Sequence, residues 1–241
     1  MLAVEQRQNV TANNIANAAT PGFKRQQPVD KGFNQIIYEK FRNPFWPNRA
    51  TAPGGSLELN ETFTDYAAGP LNHTGNDLDV AIQGPGFISV QTPSGERYTR
   101  DGAFSMGADG LLVTVDGYPI LDEGGQTINV DGAAVHIGSD GLVAVDGQQA
   151  GRIRLTEFED PHMLKREGSN LWSASDQALQ RSAPAENTEL ASGTLEMSNV
   201  QLPREMVSMI LAARSYEANQ RVVNAIDETA SRLIDHVASA G

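Results

Sequence analysis

The stretch "EMVSMILAARSYEANQRVVNAID", Glu205 to Asp227, decides the fold. It lies in a run from Arg204 to Ser239 without Gly or Pro, the two residues least tolerated inside a helix. A helix of about 35 residues spans roughly 50 Å at 1.5 Å per residue. Pro203 suits its first turn, where a missing N–H costs nothing, and Glu205 suits the positive end of the helix dipole. With Met206 at heptad position a, position d is Met209, Tyr216, Val223, Ala230 and Val237, an unbroken apolar seam. Position a is Met206, Ala213, Gln220, Asp227 and Ile234, where two polar residues weaken a coiled coil but fix its register. Val207, Leu211, Val222, Ile226 and Leu233 fall off that seam. A helix with more than one apolar face needs more than one neighbour. Met206 and Met209 are expected in packed core, and Arg214 either in an inter-subunit ion pair or in solvent.

The opposite end of the chain offers a second helix. In "ANNIANAATPGFKR", Ala12 to Arg25, the pattern is helical up to Thr20-Pro21-Gly22, which stops it. Asn9, Asn13 and Asn17 recur every fourth residue, although Asn is a mediocre helix former whose amide competes for backbone groups. Two readings stand for Asn13, Asn14 and Asn17: solvent-facing or capping amides, or hydrogen bonds between closely packed helices. The alanines, with Val10 and Ile15, suit such packing. A short helix of this composition is marginal alone in water. Pro21, Gly22 and Phe23 read as a helix stop followed by an apolar anchor.

Between the helices the texture changes twice. Residues 24–66 have no clear period, and "RNPFWPNRATAPGGS", Arg42 to Ser56, reads as an extended linker. From Gly69 to Gly193, short alternating runs such as "DVAIQGPGFISVQ" are closed by turn residues, as in β structure. Asp-Gly occurs at Asp101, Asp109, Asp116, Asp131, Asp140 and Asp146, and suits tight turns with positive φ. "DGLLVTVDG" at 109–117 echoes "DGLVAVDG" at 140–147, which predicts two similar hairpins. Tyr98-Thr99-Arg100 reads as an alternating strand with a buried Tyr and a surface Arg. Glu196, Ser198 and Asn199 read as the lead-in and cap of the long helix. The fold expected is α+β. N- and C-terminal helices, 1–23 and 200–241, pair as a coiled-coil-like layer around a central all-β domain at 67–199, with 24–66 as linker.

Composition excludes several functions. Thirty acidic residues against 18 basic ones, a net charge of −12, argue against nucleic-acid binding. Without cysteine there are no disulfides, thiol catalysis or thiolate metal sites. No apolar run approaches the ~18 residues of a membrane span. "MLAVEQRQNVTANN" lacks the basic-then-apolar order of an ordinary signal peptide. His73, His136, His162 and His236 are scattered, and no HExxH pair, G-x-S-x-G elbow, P-loop, G-x-G-x-x-G fingerprint or calcium loop appears. No catalytic, metal, cofactor or small-molecule role is therefore expected. Two other classes remain to be tested: a secreted oligomeric adhesin using the β domain, and a wall-cleaving enzyme, for which no paired acids at interpretable spacing appear.

Three blocks carry a family resemblance: "NNIANAATPGFKR" (13–25), "GPLNHTGNDLDVAIQGPGFISV" (69–90) with "YTRDGAF" (98–104) and "GLLVTVDGYPIL" (110–121), and "GTLEMSNV" (193–200) followed by the stretch quoted first. In this order they resemble the rod and hook proteins of the bacterial flagellar basal body, most closely the proximal-rod branch. The distal-rod branch and a short hook-like protein are the near alternatives. The resemblance implies a structural, non-catalytic subunit, passed through the flagellar type III export apparatus without a cleaved signal. It would assemble with other rod subunits into a periplasmic tube that transmits torque, with paired terminal helices inside and the β domain outside. Assembly contacts implied are Asn13, Asn14, Ile15, Asn17, Pro21, Gly22, Phe23, Glu196, Ser198, Asn199, Met206, Met209, Ala213, Arg214, Tyr216, Asn219 and Val223. Members usually carry further helical residues ahead of this starting point, so Met1-Leu2-Ala3 reads as mid-helix.

Overall fold

The computed structural model describes residues 2–28, 62–185 and 187–239. Two compact units emerge. One comprises Met1–Ala16, Gln26–Phe63 and Gln201–Gly241; the other comprises Asn17–Arg25 and Thr64–Val200. The expected linker at 24–66 falls largely at 29–61, outside the described residues.

In the helical unit, Leu2–Ala16 packs on the helix Leu202–Ser239. The short helix buries Val10, Thr11 and Asn14. On the long helix Glu205 and Ala212 are buried, and Ser208, Met209, Ala213 and Asn219 are half-buried. Glu205, Ala212 and Asn219 repeat every seven residues, one position ahead of the predicted a series. The shift follows from Asn14, whose amide draws the Glu205 carboxylate onto the covered face. The predicted seam residues Met206, Tyr216 and Val223 are consequently exposed, as are Val207, Ile210, Leu211, Val222 and Ile226. Met206 is thus not core packing within this chain, and Arg214 lies on the exposed surface. The side chains of Ala230, Leu233, Ile234 and Val237 are outside the described residues.

The β unit is built on a six-stranded antiparallel sheet. Its spatial order is Leu164–Gly168, Leu171–Ala174, Gly95–Thr99, Phe87–Thr92, Leu155–Phe158 and Ser182–Pro184. The central strand is buried over Phe87–Val90 because it faces a core on each side. Side chains alternate along a strand, so Ile88 and Val90 enter one cluster with Leu112, Ile120, Ile137 and Val143. Phe87 points the other way, to Trp172, Tyr98 and Phe158. There the rings meet edge to face, Phe87 with Trp172 at 5.7 Å and Tyr98 with Phe158 at 4.9 Å between centroids. Leu171 and Trp172 divide between the two cores in the same way.

The echoed segments share one device. In "GADGL" (107–111) and "GSDGL" (138–142), the first Gly N–H donates to the Leu carbonyl, at 2.8 Å in both copies, and the second Gly closes the turn. Gly110, Gly117, Gly141 and Gly147 have positive φ, as the Asp-Gly pairs require. Asp146 and Gly147, at φ 50° and 79°, form the two-residue turn between the strands Leu142–Val145 and Gln148–Arg152. Asp101-Gly102 and Asp131-Gly132 differ from expectation. Their glycines lack positive φ, and Gly102 is required because a Cβ would run into the Val80 carbonyl oxygen. At Gly147 a Cβ would meet nothing within 4 Å, so only backbone strain opposes it. Gly147→Ala is expected to cost about 1–2 kcal/mol in a denaturant titration.

Candidate assembly site

The turn that ends the first helix is fastened to the β unit by a buried cluster. Thr20 closes the turn, its backbone N–H donating to the Asn17 carbonyl (3.2 Å) and its hydroxyl to the Asn17 amide oxygen (3.3 Å). Gly22 then turns left-handed, at φ 66°, and its N–H donates to the Glu196 carbonyl at 2.7 Å. A Cβ there would stand 2.5 Å from the Arg100 carbonyl oxygen, so no other residue fits. The Pro21 carbonyl accepts from Asn170 Nδ2 at 3.0 Å. Phe23 is fully buried, with the Arg166 guanidinium 4.2 Å above its ring.

Lys24 follows, 1% exposed. Its ammonium donates to Glu196 Oε1 at 2.7 Å and to the Ala67 carbonyl at 2.9 Å. Glu196 Oε1 also accepts the Gly69 N–H at 2.8 Å, while Oε2 faces Arg100 Nε at 3.5 Å. Arg100 donates from Nη2 to the Gly84 carbonyl at 2.7 Å and lies over the Phe87 ring. One carboxylate therefore sits between two buried cations. Burial first, and then Arg100, push the Lys24 amine below its ordinary pKa, with Glu196 opposing. Burial likewise lowers Arg100, again opposed by Glu196. Asn199 ties the strands of chain together. Its Oδ1 accepts the Arg25 N–H at 2.7 Å, and its Nδ2 donates to the Asp65 and Ala67 carbonyls at 2.8 and 3.0 Å.

A second polar contact lies within the helical unit. Asn14 Nδ2 donates to the Gln26 carbonyl at 2.8 Å, and Asn14 Oδ1 accepts the Gln26 N–H at 3.0 Å. The amide thus pairs with the backbone as a neighbouring strand would. Nδ2 also donates to Glu205 Oε2 at 3.2 Å, and both side chains are buried. Asn14→Ala leaves buried groups unsatisfied and is expected to cost about 1–3 kcal/mol, read as easier proteolysis of the N-terminal helix.

The predicted contact residues separate into groups. Gly22, Phe23, Glu196, Ser198 and Asn199, with Pro21, meet in the β unit, while Asn14 and half-buried Ile15 belong to the helical one. Asn9 and Asn13 are exposed, so the buried amide lies off the regular Asn row. Glu196, Ser198 and Asn199 do not cap the long helix. That helix starts at Leu202, the Glu205 N–H bonds the Gln201 carbonyl, and the Asn199 amide is engaged elsewhere. Ser198 Oγ instead accepts the Val200 N–H at 3.3 Å. Arg100, expected on the surface, is 5% exposed. It follows directly on the strand Gly95–Thr99, two positions after buried Tyr98 and so on the same face, and its charge is met by Glu196. Sequence reasoning missed Lys24 and Gln26 altogether. The one available signal was a Lys directly after the buried Phe23.

Comparison with known proteins fits this arrangement. The profile for flagella basal body rod protein matches residues 1–24, that for the flagellar hook protein FlgE/F/G D1 domain matches 81–145, and that for the flagellar basal body rod FlgEFG protein C-terminal matches 191–235. The flagellar basal-body rod protein FlgF of Caulobacter vibrioides is 33% identical over 95% of this chain and 89% of its own length. FlgG of Buchnera aphidicola subsp. Schizaphis graminum is 36% identical over 93% of this chain and 92% of its own, and FlgG of Bacillus subtilis is 31% identical over 94% and 92%. Lys24 and Glu196 thus fall in the two end segments that these profiles cover, with most of the long helix, and Arg100 falls in the central one; the chain belongs to the flagellar basal-body rod protein family.

Proposed function

We propose that the chain is a structural subunit of the flagellar basal-body rod, of the proximal type, polymerising with copies of itself and other rod proteins into the shaft that carries torque to the hook. The similarity over 95% of the chain to a rod protein carries this reading. The exposed apolar residues Met206, Val207, Ile210, Leu211, Val222, Val223 and Ile226 support it, since a long helix with that surface needs neighbours. In the assembled tube the terminal helices pair as a coiled-coil-like inner layer. Asn13, Ile15, Asn17, Met206, Met209, Ala213, Arg214, Tyr216, Asn219 and Val223 then make contacts between subunits. The buried set around Gly22, Phe23, Glu196, Ser198 and Asn199, with Asn14, shapes the subunit for them. Contacts that repeat head to tail without closing a ring generate a helical filament, and many parallel helix contacts give it stiffness. The subunit passes the flagellar type III export apparatus and assembles in the periplasm. An in-frame deletion is expected to abolish swimming, with recovery on complementation and with the chain present in purified basal bodies. A swimming deletion strain without a substituting paralogue would contradict the reading and favour the adhesin class.

A further inference from the structure

We infer that residues 17–25 form a clasp that closes last on an otherwise complete β unit and opens first from it. The bonds that hold the clasp reach far along the chain. The Gly22 N–H bonds the Glu196 carbonyl, and the Pro21 carbonyl accepts from Asn170. The Lys24 ammonium bonds the Glu196 carboxylate, 172 positions on, and the Arg25 N–H bonds the Asn199 side chain, 174 positions on. Making such contacts early costs loop entropy that only a preformed seat offsets. The two cores form without the clasp. They are built from residues 66–190, and Phe23, although fully buried, belongs to neither. The Arg166 guanidinium covers its ring instead.

The seat is polar and incompletely satisfied. Among the described residues, Arg100 Nε, Glu196 Oε2, Arg166 Nη1 and Trp172 Nε1 are buried without a hydrogen-bond partner. Three of these four atoms belong to residues beside the clasp: Arg100 at Gly22, Glu196 at Lys24 and Arg166 at Phe23. Trp172 stands opposite Arg166 across the strand pair. A buried polar atom without a partner has lost water without replacement, so the atoms beside the clasp favour its opening. Order of synthesis gives the device its use. A chain made from its N-terminus holds the clasp before any of these partners exists, and Asn199, the last, comes just ahead of the long helix Leu202–Ser239. Closure therefore reports a β unit complete through residue 199. Until then the clasp cannot fix where the chain ahead of residue 17 leaves that unit.

Hydrogen-exchange pulses during refolding of the purified full chain test this order, independently of the rod reading. The Ile120 and Leu121 N–H groups, which bond within the β unit's core, are expected to gain protection first, and those of Gly22 and Arg25 last. Gly22→Ala and Glu196→Gln are expected to speed unfolding at least tenfold while slowing refolding less than about twofold, as for contacts absent from the transition state. Protection at Gly22 and Arg25 together with the core amides, or ahead of them, would overturn the inference. Variants that slow refolding as much as they speed unfolding would overturn it too. The pulse experiment uses the unaltered chain, so it decides the matter even where a variant does not fold.

Discussion

Glu196→Ala is expected to lower the stability of the β unit by about 3–5 kcal/mol, because it strands Lys24 and Arg100 as buried cations without their carboxylate. The Gly69 N–H loses its acceptor in the same step. For a unit of this size such a loss lowers the melting temperature by about 10 °C. The cause can be separated from simple truncation. Glu196→Gln keeps one oxygen acceptor at nearly the same volume, removes the charge, and turns an NH2 donor towards one of the two cations. If charge is what matters, its cost approaches that of alanine. The triple change Lys24→Met, Arg100→Met, Glu196→Leu removes every charge together, and is expected to restore much of the lost stability. A cost below about 1 kcal/mol for Glu196→Ala would show that the cluster does not hold the turn.

Gly22→Ala is the second large effect, expected at about 2–5 kcal/mol. Two separate penalties combine. Alanine at φ 66° is strained, and its Cβ would stand within 2.6 Å of the Arg100 carbonyl group and the Asp101 nitrogen. Those are backbone atoms within a packed unit, so relief requires moving the turn. The Gly22 N–H would then leave the Glu196 carbonyl, loosening the same clasp from its other side. Gly147→Ala is the internal control, with similar φ and open space around it. The difference between the two substitutions isolates the steric contribution. Limited proteolysis should cut the Gly22→Ala variant within residues 17–25 faster than the parent protein. Equal costs at the two glycines would remove the argument for close approach.

How much of this was legible beforehand depended on how local the cause was. The long helix followed from a run without Gly or Pro, whereas the first helix ends at Ala16, four residues ahead of the stop expected at Thr20-Pro21-Gly22. Four Asp-Gly turns followed from backbone preference within two residues. Phe87–Val90 read as part of an alternating run with one buried face, whereas all four residues are buried because the strand lies between two cores. Long-range polar chemistry was not legible. Lys24 and Glu196 stand 172 positions apart, and Asn14 and Glu205 stand 191 apart. Nothing in either neighbourhood says that the partner exists. The heptad register slipped for the same reason. Apolar patterning selected Met206, while a buried amide-to-carboxylate contact turned Glu205 inward. Arg100 was misjudged because its charge was read as a surface signal, although residues two apart on a strand share a face and Tyr98 is buried. In the candidate site, the residues marked by turn chemistry were found and their charged partner Lys24 was not.

The most direct measurement of the central claim is electron microscopy of basal bodies purified from cells carrying a clean in-frame deletion. The rod reading expects particles that stop at the membrane ring, without rod or hook, and intact particles on complementation. Complete basal bodies in the deletion strain, with no paralogue substituting, would contradict it.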